Sequence, residues 1–380
     1  MKKKLLVFLS CCYFFGCNKG NFKTVSDMEQ PVQKTEAPST NPTEPDVAVT
    51  PSPDPIPKPG EVPVVVSPIL KICSQLNFQG ISWPDTLSNN EKNYLALAMN
   101  ITGSFEGAKG WANLSNNFDG MGISLGLMQQ NLGMGSLQPM LMEAMTSVAI
   151  GKVVFDRNKY NLLVQMLQQW HLDLSNSLVQ SDSNELFKND YQIISELDNN
   201  ETQLNSLAVD YSINKGSTVI NKRSVSWALD ELFIDKGKTF RTDWAKELNT
   251  LATDKEYISI QVKHSLAIYA RALQYFKAFG LTEVRSFLLM YDFVTQNGGF
   301  KKKVLTDYTA FIKANPKTTE TQRLEKILEI RIKDVLAQWQ SDVRSRKQTI
   351  INSTGLVHGA KRALTKEYCY VATDKILIQN

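Results

Sequence analysis

Histidine is almost missing from this chain: three in 380 residues, at 171, 264 and 358, far apart and at no spacing that metal ligands adopt. Neither a metal nor a cofactor is expected. Proline is just as sparse after Ile69, where only three of the fourteen occur, so the second part of the chain can run in helices without interruption. Also missing are a Walker loop, a G-x-G-x-x-G turn after a strand, and a strand-to-helix elbow of the G-x-S-x-G kind. Those absences set aside nucleotide and serine-triad chemistry. No charge excess suggests nucleic acid, since the net charge is only +4 with 21% charged residues. At 42% hydrophobic, the chain is long enough to bury a sizeable core.

Three of the five cysteines fall within the first seventeen residues, MKKKLLVFLSCCYFFGC. Lys2, Lys3 and Lys4 form a basic start, and the apolar run over residues 5–15 is too short to cross a bilayer as a helix. This reads as an export signal over 1–16. Gly16 before Cys17 resembles the lipobox of bacterial lipoproteins, although Phe14 stands where Leu is usual; Cys11, after Ser10, leaves too short an apolar core. The resemblance implies a lipid on Cys17 and a membrane-anchored lipoprotein of a bacterial envelope, facing periplasm or exterior. The plainer alternative is a secreted protein cut nearby. Residues 17–68 hold most of the prolines, as in TPSPDPIPKPGEVP, and read as a disordered tether, extended at about 3.1 Å per residue. Cys73 and Cys369 remain, an even number in an oxidising compartment, and are expected to pair as a disulfide, with two buried thiols as the alternative.

Residues 69–380 read as one domain, α+β and mainly α, with a small sheet near its amino end, and as a monomer. Its surest helix start is Ser88-Asn89-Asn90-Glu91, a capping box. Tyr94, Leu95, Ala98, Ile101 and Phe105 follow at helical spacing, with Gly103 and Gly107 expected to weaken and end the helix at Glu106. Short β character marks 116–131. Later helices are expected over 136–149, 158–180, 184–198, 202–213, 224–234, 242–252, 255–279, 281–295, 301–314 and 319–345.

FDGMGISLG (118–126) reads first as a hairpin turned at Asp119-Gly120. Yet Glu106 lies only thirteen residues earlier, and two carboxyls across a Gly- and Asn-rich loop have the makings of an acid and a base. Glycoside hydrolysis needs one carboxyl kept protonated and another ionised. Glu106 beside Phe105 is expected to be desolvated, and Asp119 in its loop to stay solvated. Alone, such a pair is common.

NYLALAMNITGSFEG followed by FDGMGISLGLMQQNLGMGSLQPML resembles the active-site region of glycoside hydrolase family 46 chitosanases, of the lysozyme superfamily. So do LLMYDFVTQNGG (288–299) and ILEIRIKDVLAQWQSDVRSR (327–346). The resemblance covers roughly 90–145 and 285–350 and is thin between. It implies a lysozyme-like fold, with Glu106 as general acid, Asp119 as general base and Ser124 as the hydroxyl that holds the attacking water. It further implies that Asp292, Arg331 and Arg346 form an ion-pair network behind Glu106; an ordinary salt bridge between helices is the plainer reading. The Glu-to-Asp spacing is shorter than in typical chitosanases, and Asn297 stands where their His usually is. Trp111, Asn113, Asn116 and Asn117, in the loop between the carboxyls, are candidates for sugar contact, with loop packing as the alternative.

An envelope-anchored glycosidase meets peptidoglycan first. A mildly basic domain suits that polymer better than cationic chitosan. The expected activity is therefore a muramidase-like cleavage of β-1,4 bonds in peptidoglycan, its deacetylated form included, by an inverting acid/base mechanism. Chitosanase activity and a non-catalytic wall-binding lipoprotein are the alternatives.

Overall fold

The computed structural model describes residues 65–66, 72–147, 154–180 and 214–376, with main chain alone at 65–66, 177–180 and 214–220. The leader, Cys17, the proline-rich segment and the helices expected over 184–198 and 202–213 lie outside the described residues. Within them the fold is α+β and mainly helical, with a small antiparallel sheet.

The chain enters through a two-stranded ladder of β1 (Val65–Val66) and β2 (Cys73–Ser74), then forms α1 (Asn89–Glu106). The expected capping box is present: Ser88 Oγ accepts from the Glu91 amide, and the Glu91 carboxylate accepts from the Ser88 amide at 2.9 Å. Ten residues of α1, from Leu95 to Phe105, are buried, so this is a core helix rather than a surface one. The helix continues through Gly103 and ends, as expected, before Gly107. A Cβ at Gly103 would collide with the Leu127 side chain, so the glycine lets a neighbouring loop pack onto the helix backbone.

After α1 come three short strands, β3 (Leu114–Ser115), β4 (Ser124–Leu125) and β5 (Gln130–Asn131), in that order across the sheet, with Ser115 opposite Ser124 and Ser124 opposite Asn131. The helices α2 (Gln138–Thr146), α3 (Arg157–Gln180), α4 (Asn214–Glu231), α5 (Thr242–Thr253) and α6 (Lys255–Ala278) follow. Then come α7 (Val284–Asn297), α8 (Lys302–Ala314), α9 (Glu320–Ile332) and α10 (Ala337–Asn352). The chain ends in a hairpin, β6 (Thr354–Val357) with β7 (Ala360–Ala363), and a short α11 (Leu364–Tyr368).

Two cores result. One gathers α1, α7, α9, α10 and one face of α6 along its length, with Phe105, Tyr269, Phe287, Phe293 and Ile350 among its members. The other gathers the three-stranded sheet with α2 to α5 and the start of α6, including Ile123, Leu125, Leu141, Trp244 and Tyr257. α6 belongs to both, and buried Gln261 on it accepts from the Leu127 amide at 2.9 Å, which fastens the sheet's loop.

Two expectations change. The helix read as continuous over 319–345 breaks at residues 333–336, where the Asp334 and Val335 amides bond back to Arg331 and Ile332 in a tight turn. The closing hairpin was not foreseen; its turn places His358 (φ 50°) and Gly359 (φ 81°) both at positive φ, the geometry that matches the strands' twist. Cys73 and Cys369 are paired at disulfide distance with Cα atoms 5.2 Å apart, joining β2 to the residue after α11.

Candidate active site

Glu106 ends α1 with its side chain almost fully buried, and Arg346 Nη1 lies 2.7 Å from its Oε1. The same guanidinium reaches Asp292: Nε stands 2.9 and 3.0 Å from the two carboxylate oxygens, and Nη2 stands 2.5 Å from Oδ1. Thr102, one turn before Glu106, donates to Asp292 Oδ1 at 3.1 Å. Three helices, α1, α7 and α10, are thereby locked at one point.

The expected third member is different. Arg331 ends α9, and its Nε and Nη2 donate to the carbonyls of Gly299 and Asn297 at 3.1 and 3.0 Å, closing the end of α7. It meets no carboxylate among the described residues. Fifteen residues on an unbroken helix would bring Arg331 and Arg346 near one face; the break at 333–336 sends them to different targets. The vacated role falls to Lys347, whose ammonium bonds the Asp292 carboxylate and, at 2.9 Å, the Asp292 carbonyl. Asp292, Arg346 and Lys347 are all 0% exposed. Burial works against charge on Asp292, but Arg346 and Lys347 outweigh it and hold the carboxyl down at about 2. Burial and the neighbouring Arg346 push Lys347 down to about 7, with Asp292 pulling the other way.

A signal for Lys347 was present in the sequence. Val343, Arg346, Lys347, Ile350 and Ile351 recur at i, i+3, i+4, i+7 and i+8, the buried stripe of a helix. Two cations occupying an apolar stripe require buried anions opposite them.

Glu106 is withdrawn from solvent as expected, but a guanidinium lies against its carboxyl as well as Phe105 beside it. Two guanidiniums approach the Phe105 ring, Arg346 at 5.0 Å and Arg362 at 5.1 Å from its centroid. Arg362, from β7, donates to Ser104 Oγ at 3.0 Å and pairs with Glu367. The closing hairpin therefore grips the last turn of α1.

Asp119 sits in a loop that its own side chains shape. The Gly120 amide bonds the Asn117 carbonyl at 3.2 Å, so Phe118 and Asp119 are the central pair of a turn, and Asp119 Oδ1 accepts from the Met121 amide at 3.0 Å. Gly120 has φ 81° whereas Asp119 is not at positive φ, so Asp119-Gly120 is not the two-residue hairpin turn first read. Half-burial raises the Asp119 carboxyl above the ordinary aspartate range, and the Met121 amide offsets part of that rise. The expectation of a solvated Asp119 is therefore corrected: desolvation is the dominant influence on it.

Ser124 lies in β4 and is buried at 3%, between Ile123 and Leu125 of the second core. Residues 122–126 spell G-x-S-x-G after all, but Ser124 pairs with strands on both sides instead of standing on a strand-to-helix turn, so the elbow itself is not formed there. A connection between the two carboxyl-bearing segments runs through Asn113. Its Oδ1 accepts from the Lys109 amide at 3.0 Å, a Cβ on Gly107 would fall 2.5 Å from that oxygen, and its carbonyl accepts from Gly126.

Of the four candidate sugar contacts, Trp111 and Asn113 are buried, while Asn116 and Asn117 are half-buried with one side-chain atom each bonded to backbone. Trp111 is 6% exposed, edge-on to Phe78 with centroids 5.5 Å apart. Asn113 is buried, Asn116 Nδ2 donates to the Lys238 carbonyl at 2.7 Å, and Asn117 Oδ1 accepts from the Gly122 amide at 2.6 Å. Amides in a loop that must bend sharply are consumed by its backbone. Of the histidines, His264 pairs with Glu143 and His358 with Asp342. The chain matches no family model, no curated protein and no solved structure.

Proposed function

We propose that the domain is a glycoside hydrolase of lysozyme-like, chitosanase-like fold that cleaves β-1,4 bonds within peptidoglycan. The observation that carries this reading is the division of the site between two cores. Glu106 leaves α1 in the first, Asp119 and Ser124 leave the sheet region joined to the second, and Asn113 bonds the segments together. Carboxyls carried by separately packed regions suit the separate roles of acid and base.

In the reaction, Glu106 gives its proton to the glycosidic oxygen as the bond to the anomeric carbon breaks. Asp119 takes a proton from a water aligned with the Ser124 hydroxyl, and that water's oxygen bonds the anomeric carbon from the opposite face, inverting it. Arg346, held by Asp292, fixes the direction of the Glu106 carboxyl. The resemblance to chitosanases around Asp119 and Ser124 favours chitosan as the second reading.

Wild type and Glu106→Gln are incubated with intact sacculi, deacetylated sacculi and chitosan, following new reducing ends and the anomer first released. The expected outcome is soluble fragments of inverted configuration from sacculi and none from the variant. Retained configuration overturns the mechanism. Wall binding with no release by wild type overturns the hydrolase in favour of a binding module.

A further inference from the structure

The loop that carries Asp119 does not stand alone. A second loop, the hairpin over residues 232–241, is bonded onto it: the Asn117 amide donates to the Gly237 carbonyl at 3.0 Å and Asn116 Nδ2 to the Lys238 carbonyl at 2.7 Å. Gly237 lies directly against Asn117, where a Cβ would come 2.7 Å from the Asn117 Cβ; its φ of 104° also requires glycine. The hairpin is built to be rigid. Phe233 and Phe240 bridge its stem, and at its tip Asp235 accepts from the Lys238 and Thr239 amides and from the Thr239 hydroxyl. Those bonds keep Asp235 ionised, and with Lys236 and Lys238 of the same tip exposed beside it the tip carries one net positive charge.

Apolar side chains flank these cations. Six large hydrophobic residues are exposed among the described residues, and two of them belong to these two loops: Phe118 at 47% and Ile234 at 69%. Single exposed apolar residues are ordinary, but these two are on segments that bond each other beside a candidate catalytic carboxyl. Gly120 leaves open space as well, since a Cβ there would meet no atom within 4 Å.

We propose that the hairpin over 232–241 and the Phe118 turn form a substrate-reading rim that binds an aminosugar strand bearing carboxylates and peptide, as peptidoglycan does, and disfavours a cationic, deacetylated strand. An aromatic ring fits the C–H face of a sugar, an aliphatic side chain fits apolar substituents, and two exposed ammonium groups fit carboxylates while repelling glucosamine. The flanking Asp230 and Glu231 stand at the stem, beside Arg241, which donates to the Asp230 carbonyl, not at the tip. This inference rests on the hydrolase reading for its site, but not for its test.

The test uses the mature chain with Glu106→Gln to prevent turnover, and measures co-sedimentation with purified sacculi and with chitosan at low and high salt. Two exposed ion contacts of ordinary surface strength amount together to about a tenfold change in affinity. Lys236→Glu with Lys238→Glu is expected to weaken binding to sacculi by about that factor at low salt, to strengthen binding to chitosan, and to lose both effects at high salt. Phe118→Ala is expected to weaken binding to both polymers. Thermal unfolding checks the fold, and if the double Glu variant melts early, Lys236→Gln with Lys238→Gln decides instead. Unchanged sacculus binding, or an equal fall on both polymers, overturns the rim. Lysine-dependent sacculus binding in a wild type that cuts nothing supports the rim while the hydrolase reading fails.

Discussion

Arg346 Nη1 stands 2.7 Å from Glu106 Oε1 while the rest of the same guanidinium is held by Asp292, so the direction of the candidate acid is set from a helix more than two hundred residues along the chain. Arg346→Lys keeps the charge but loses the planar fork that reaches two carboxyls at once. Misplacing a catalytic group by about 1 Å costs on the order of a hundredfold in rate. We expect kcat to fall by that order with KM little changed, measured on sacculus fragments; an equal rise in KM would mean that Arg346 serves binding instead.

Asp292 makes the fold acid-sensitive. Its folded value of about 2 lies below that of an unfolded aspartate, about 3.9, so its charge stabilises the protein above the unfolded value. That contribution, on the order of 2 kcal/mol, is lost as pH falls from about 4 towards 2. Urea unfolding at pH 5 and pH 3 measures the loss. Asp292→Asn should show less of this dependence while being less stable at neutral pH, because Lys347 loses its anion and Arg346 keeps only Glu106.

Under the proposed mechanism, Asp119 makes activity acid-sensitive in a separate range. A base must be ionised, and burial raises this carboxyl, so the acid limb of kcat/KM is expected above the ordinary aspartate value of about 3.9. The pH–rate profile locates it. A limb at or below that value would show that Asp119 is not the group titrating in catalysis.

Much of the domain was legible in its sequence, for reasons that also explain the failures. Local signals carried furthest: the Ser88 box, the apolar spacing behind it and the near-absence of proline sufficed for α1 and for most later helices, because each depends on neighbours in the chain. The break at 333–336 lacks a proline or glycine to announce it, and the partner that the resemblance implies for Arg331 is one that it does not meet. Lys347 was overlooked because a lysine beside an arginine reads as a solvated face unless the apolar stripe around it is counted. The loop residues Trp111, Asn113, Asn116 and Asn117 were read by side-chain chemistry, and their burial depended on Phe78 and on the 232–241 hairpin, contacts that no local pattern encodes.

Trp111 provides a direct contrast between packing and recognition. Because it fills a core site against Phe78, Trp111→Ala is expected to destabilise the domain by about 3–5 kcal/mol. Equilibrium unfolding and sacculus affinity below the midpoint are measured together. A stable variant with weakened affinity would return Trp111 to the sugar-contact role.

The pairing of Cys73 with Cys369 encloses almost the whole described domain in one covalent loop. A protease that cuts once within that loop, for instance at the exposed turn over 315–317, therefore releases no fragment. The nicked chain stays a single particle with its helices at full local concentration, and the cut becomes visible only after reduction. One link between the two ends of the domain thus confers tolerance to a single cut in the surface loops between them.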